Sequence, residues 1–246
     1  MFVNLKLSKI DRYVYRIIKL DRLKELFSAS QNTLVKPKCW DDPFENFILS
    51  SRIRHGSGEI HEYDLHDRIY GQCWTFHKAS DAIWRIYAPD KDGVRIRSRI
   101  SDLALGLKHA HPDHTDAVCR IGRVRYLKSK EMRGVANNTF DDGGIDVDRL
   151  FESLLIKRTA FEHEREVRLL YFELDDSRVG QDKYAYEVNP HKMINQIMLD
   201  PRLSSVDAAA MKEDIRAVTG FEGPIKRSLL YAPPPSKILG VSDWEP

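Results

Sequence analysis

Apolar and polar positions change places along this chain in two rhythms. Runs rich in Val, Ile, Tyr, Phe and Trp predict short strands at Tyr13–Ile18, Gln72–Phe76, Gly93–Ile96, Val118–Tyr126, Val167–Phe172, Tyr184–Val188, Ile194–Leu199 and Ile225–Tyr231. Apolar residues three and four apart predict helices at Asp21–Ser28, Asp81–Tyr87, Ser101–His109, Val147–Phe161 and Ser205–Val218. The crowded Gly, Asn and Asp residues of Met132–Asp146 predict a loop, and Pro233-Pro234-Pro235 precludes regular structure near the end. Strands and helices mix without a regular βαβ beat, and no glycine-rich phosphate loop follows a strand. The fold class this predicts is α+β: one domain over residues 1–232, a mixed, mostly antiparallel sheet with flanking helices, and a Pro-rich tail over 233–246.

Composition narrows the picture. With 246 residues, 42% hydrophobic and 31% charged, the chain can bury a substantial core, which disfavours disorder. No apolar run approaches the roughly 20 residues that span a bilayer, and the charged start does not resemble a signal peptide, so a cytoplasmic protein without a membrane partner is expected. Cys39, Cys73 and Cys119 are too few and too widely spaced for a disulfide framework or zinc knuckle, and read as buried thiols. The net charge of +2 hides two basic stretches, Met1–Lys36 and Cys119–Lys130. The second carries Arg120, Arg123, Arg125, Lys128 and Lys130 with no acid; it is either a solvated edge or a face for an anionic partner.

Four segments carry candidate chemistry. In Phe161-Glu162-His163-Glu164-Arg165-Glu166-Val167-Arg168, the residues Glu164, Glu166 and Arg168 alternate and would share one face of a strand. They make either an exposed salt-bridged strand edge or a carboxylate pair able to stabilise an oxocarbenium ion and guide a nucleophile. Trp74, Phe76, Trp84 and Tyr87 are core, or rings that stack on a heteroaromatic group, and Thr75 points away from its aromatic neighbours. Arg16, in the run Tyr13-Val14-Tyr15-Arg16, needs a partner: Asp42 or Glu45 from Trp40-Asp41-Asp42-Pro43-Phe44-Glu45, or a ligand phosphate or ribose. His109-Ala110-His111-Pro112-Asp113-His114 has the residue types of a zinc site, but it ends a helix instead of following a buried strand, which favours a solvated loop.

The order Tyr-x-Tyr-Arg, Asp-Asp-Pro-Phe-Glu, Cys-Trp-Thr with Ile-Trp-x-x-Tyr-Ala, Gly-Val-x-Ile and Phe-x-x-Glu-x-Glu-x-Arg resembles the bacterial family known as domain of unknown function 2971, from about Tyr13 to Leu199. Arg16 on the first strand, Thr75 between aromatics on a middle strand and Glu164-x-Glu166 late in the chain also resemble the three-part signature of ADP-ribosyltransferases. That second resemblance implies NAD as substrate and no metal. It implies Glu166, Glu164 and Thr75 as catalytic residues, and Tyr15, Arg16, Trp74, Phe76, Trp84, Tyr87 and Arg168 around the dinucleotide. A toxin or anti-phage effector would follow, with a nucleic-acid or protein acceptor and a cognate antitoxin. The competing expectations are a non-catalytic interaction module, with Arg16 locked to Asp42 or Glu45, and a zinc-dependent hydrolase or nuclease built on His109, His111 and His114.

Overall fold

The computed structural model describes residues 1–234 except 7, 9, 41, 46–48, 50–51, 55–57, 59, 63–66, 114–117, 138–139, 142–143, 146 and 179. Asp41, His114 and most of the expected tail therefore lie outside the described residues. Ten strands build the main sheet: β1 (Phe2–Val3), β2 (Tyr13–Lys19), β3 (Gln31–Val35), β4 (Ile69–Thr75), β5 (Gly93–Arg99), β6 (Cys119–Arg123), β7 (Glu166–Phe172), β8 (Lys183–Glu187), β9 (Gln196–Leu199) and β10 (Ile225–Arg227). Their order is β1-β6-β7-β4-β2-β5-β9-β10, with β3 and its partner β8 branching from β4. Only the β1–β6 and β9–β10 pairs are parallel, so the fold is the expected α+β type with a mostly antiparallel sheet.

Local chemistry places the helices α1 (Leu20–Ala29), α2 (Asp81–Tyr87), α3 (Ile100–Ala110) and α4 (Ser205–Thr219). The Ser80 hydroxyl accepts a bond from the Ile83 amide to open α2, Ser204 does the same for Asp207 in α4, and Gly220, at φ +62°, closes α4. On one sheet face Val14, Trp74, Ile96 and Leu169 pack with Leu23 and Phe27 of α1 and Leu103 and Leu107 of α3. On the other, Ile69 and Leu170 pack with Val124, Phe151 and Leu155. Each such side chain contributes about 1.5–3 kcal/mol by leaving water.

Strand β7 is central, not an edge. It lies between β4 and β6, with Glu166 opposite Thr75 and Arg168 opposite Cys73, and every residue from Glu166 to Tyr171 is buried. An exposed strip of ion pairs is thereby excluded.

Several other expectations change. The helix expected over Val147–Phe161 stops at Ser153; Ile156–Arg158 instead forms a strand parallel to Arg125–Leu127, and Thr159–Glu164 coils into a 3-10 helix. The backbone of residue 125 wins this segment, because its N–H bonds the Leu155 carbonyl at 2.8 Å. The single strand expected over Val118–Tyr126 divides between β6 and that ribbon. The expected loop at Met132–Asp146 is helical as far as Asn137. Cys39 is exposed and only Cys119 is fully buried. In the basic stretch, Arg120 is buried, lies over Phe151 and pairs with Asp148, so the run is not one continuous basic face.

Candidate functional site

The site begins where the sheet forks. Strands β2 and β4 share one residue pair, Tyr15 with Thr75, while the other end of β4 meets β3 through Val35 and Gly71. A cavity of about 380 Å³ lies in the fork, within the roughly 300–1,000 Å³ typical of small-molecule sites. Arg16 and Ile17 line it from β2, and Gly71 to Thr75 from β4. Tyr87 enters from α2, Glu166 from the start of β7 and Glu164 from the end of the 3-10 helix before it. Lys157, Phe161 and His163 close it from the segment that leads into β7.

Arg16 is the outstanding group on the β2 side. Among the described residues it makes no hydrogen bond, ion pair or ring contact. Burial lowers its pKa, opposed by the neighbouring Cys73, Tyr186 and Tyr87. Both acids expected to hold it are taken. Asp42 accepts Arg158 Nη2 at 2.8 Å and Nε at 3.2 Å, and also the Phe44 amide at 3.0 Å. Glu45 pairs with Arg168 and, at 3.0 Å, with Lys157. The interaction-module expectation of a locked Arg16 is therefore not met.

A buried charge cluster lines the same cavity. Lys157 Nζ donates to Glu166 Oε1 at 2.7 Å and to Glu164 Oε2, and Arg168 Nε donates to Glu166 Oε2 at 2.8 Å. Three carboxylates, Glu45, Glu164 and Glu166, thus face two cations, Lys157 and Arg168. One negative charge is left over, and burial makes that expensive. The excess falls on Glu164, whose pKa burial and the adjacent Glu166 raise to about 8 in spite of Lys157. Burial would also raise Glu166, but the Arg168 charge and hydrogen bonds from Glu164 and Arg168 override it and hold Glu166 well below the ordinary carboxylate range. The shifts point to one acid and one anion near neutral pH, with Lys157 Nζ bridging the two carboxyl groups.

Backbone geometry makes this convergence possible. Arg165 adopts a left-handed conformation (φ +46°), so Glu164 ends the 3-10 helix and Glu166 begins β7. The expected alternation holds for Glu166 and Arg168; Glu164 reaches the same place around a turn. That turn is pinned: the Thr75 hydroxyl donates to the Glu164 carbonyl at 2.5 Å and accepts from the His77 amide, and the Glu166 amide donates to Tyr126 Oη at 2.8 Å. Tyr87 Oη lies 3.5 Å from Glu164 Oε1.

Of the ten residues singled out in sequence, Tyr15, Arg16, Trp74, Thr75, Tyr87, Glu164 and Glu166 line the cavity. Three do not. Trp84, 1% exposed, packs behind it with Ile17, Ile83 and Ala88. Phe76 lies under Arg12, and Arg168, fully buried, is spent on Glu45 and Glu166. Tyr87, 43% exposed, is thus the ring of α2 free to meet a ligand, with Phe161 beside it. Lys157 escaped sequence reading because it sits in a stretch with helical periodicity; the one available signal was a lone lysine after Leu154-Leu155-Ile156. In the histidine segment, His111 Nε2 is 2.9 Å from the Tyr184 hydroxyl and its ring stacks on Tyr171. Among the described residues no group of three or more His, Cys, Asp or Glu is placed to hold a metal, and none of the helices is long and apolar enough to cross a membrane.

No protein-family model matches the chain, and no curated protein matches it. Among solved structures, DarT of Thermus sp. 2.9 is similar at 12% identity. The complex with carba-NAD+ has a TM-score of 0.38 and covers 88% of this chain and 95% of that one. The complexes with NAD+ and with ADP-ribosylated ssDNA have TM-scores of 0.39, covering 89% and 88% of this chain and 96% and 93% of theirs. At that distance the likeness carries no argument about chemistry.

Proposed function

We propose that this chain is an NAD-consuming enzyme of ADP-ribosyltransferase type. The observation that carries the reading is that Arg16, Thr75 and Glu166, from three different strands, line one cavity that holds both a guanidinium without a hydrogen-bond or ion-pair partner among the described residues and a buried carboxylate pair. Arg16 binds a phosphate or ribose oxygen of the dinucleotide. Tyr87 stacks on the nicotinamide. As the bond between the ribosyl carbon and the nicotinamide nitrogen breaks, its electron pair leaves with nicotinamide, and the Glu166 anion stabilises the positive charge left on the ribose. The acceptor then bonds to that carbon and releases its proton to Glu164 in its ionised form, a base whose pKa of about 8 suits proton transfer near neutral pH. Thr75 acts on the backbone, holding the Glu164 turn in place. A toxin or anti-phage role, a nucleic-acid or protein acceptor and a cognate antitoxin belong to the same reading.

The test is release of nicotinamide from NAD by purified protein, followed by chromatography. Glu166→Gln should lower turnover by about 100-fold or more. Arg16→Met, which breaks no hydrogen bond or ion pair among the described residues, should raise KM for NAD by about 10-fold or more. Unchanged turnover in a folded Glu166→Gln protein would remove Glu166 from catalysis, and no nicotinamide release by the unaltered protein would remove the activity.

A further inference from the structure

A second cationic group lies next to the cavity, and its charge is unanswered. Arg95 of β5 is 5% exposed, and its Nε and Nη2 atoms are buried with no hydrogen-bond partner among the described residues. Among the described residues it makes no ion pair. Its guanidinium carbon lies 4.7 Å from the centre of the Tyr15 ring. Burial, against the favourable Tyr15 and helped by the positive Arg97, pushes its pKa down to about 10, so it remains charged at neutral pH. Buried donors on a charged group are normally satisfied, and two orphaned nitrogens on one guanidinium mark a place where an acceptor is missing.

The space beside Arg95 has the right chemistry for that acceptor. A compartment of about 10 Å³, room for one water-sized atom, is lined by Arg95, His77, Lys78, Ser80 and Thr75. Among the described residues no carboxylate lines it. Ile17, Thr75 and Ile83 line both this compartment and the main cavity, so the two spaces share a wall. An oxyanion would answer both the charge and the orphaned donors, whereas water would answer only the donors.

We propose that Arg95, Lys78 and the Ser80 hydroxyl form an oxyanion subsite that takes one oxygen of a phosphate group. The phosphate can belong to the dinucleotide in the main cavity or to a separate phosphate-bearing molecule. Binding of the phosphate itself does not depend on the NAD reading, because it can be read with no dinucleotide present.

The experiment uses the whole chain in a buffer free of oxyanions, titrated with inorganic phosphate and followed by thermal unfolding and calorimetry. Phosphate should raise the melting temperature of the unaltered protein by several degrees. The response should be absent in Arg95→Met and weakened several-fold in Lys78→Ala. Sulfate should substitute and chloride should not. Should Arg95→Met fail to fold, Lys78→Ala and Arg95→Lys carry the comparison. Equal responses in all variants, or none in the unaltered protein, would overturn the subsite. Titration with NAD then separates the sources. If the phosphate is the dinucleotide's, inorganic phosphate competes with NAD and Arg95→Met weakens NAD binding. If it is a separate molecule's, both ligands bind at once and the variant loses only phosphate. A phosphate response without any NAD response would retain the subsite and reject the NAD reading.

Discussion

Changing Glu164 and Glu166 to glutamine, one at a time, should have opposite effects on stability, although the two residues are neighbours in one buried cluster. Glutamine copies the protonated form of a glutamate. Glu164 already carries a proton at neutral pH, its pKa being raised to about 8. An unfolded glutamate has a pKa of about 4.3, so between about pH 4.3 and 8 the folded chain binds a proton that the unfolded chain has released. Stability associated with Glu164 is therefore fully present below about pH 4.3 and is lost as pH rises toward 8, at up to about 1.4 kcal/mol per pH unit. Glu164→Gln escapes that loss. It should match the unaltered protein near pH 4, exceed it by on the order of a few kcal/mol near pH 8, and gain no more above that. Glu166 has a depressed pKa and is an anion held by Arg168 and Lys157. Its stabilisation is present above about pH 4.3 and lost as pH falls toward the folded value. Glu166→Gln removes the carboxylate that Arg168 Nε and Lys157 hold; Glu45 and Glu164 remain to balance the two cations, so the loss of the charge-assisted bonds should cost about 1–3 kcal/mol at pH 7. Urea unfolding of the three proteins from pH 4 to 9, followed by tryptophan fluorescence, reads both effects. A Glu164→Gln protein destabilised at pH 8 as much as Glu166→Gln would refute the charge accounting.

Thr75→Val keeps the shape of the side chain and removes the hydroxyl that ties the Glu164 carbonyl and His77 amide, so it should cost about 1–3 kcal/mol in denaturant unfolding and lower turnover while leaving KM for NAD little changed. Gly122→Ala would place a methyl carbon 2.2 Å from Leu155 Cδ1, against the segment that carries Lys157. A loss of about 1–3 kcal/mol is expected from urea unfolding, and an unaltered midpoint would show that Leu155 has room to move.

Most of the elements can be read from the chain itself. The β-branched and aromatic runs of β2, β4, β5 and β7, the Ser80 and Ser204 caps, and Gly220 after α4 are local signals that work within a few residues. The same local rules mistook Leu154-Leu155-Ile156-Lys157 for helix, because its apolar spacing satisfies both periods and only the backbone of residues 125–127 decides between them. Seven of the ten residues that the resemblance implied line the cavity, and one of them, Arg16, also stands out in sequence as costly to bury among apolar neighbours.

What the sequence by itself determined is thus most of the elements, the α+β class and a short roster of chemically unusual side chains. What only the tertiary structure decided is who meets whom. Asp42 pairs with Arg158, 116 positions away, and this, together with the capture of Glu45 by Arg168 and Lys157, leaves Arg16 without a partner among the described residues. Lys157 gathers three carboxylates, and the divergence of Glu164 from Glu166 follows from that count of charges. The order of strands in a sheet is set by burial and pairing across the whole chain, and pKa values are set by the neighbours that order brings. Neither can be seen in a window of a dozen residues.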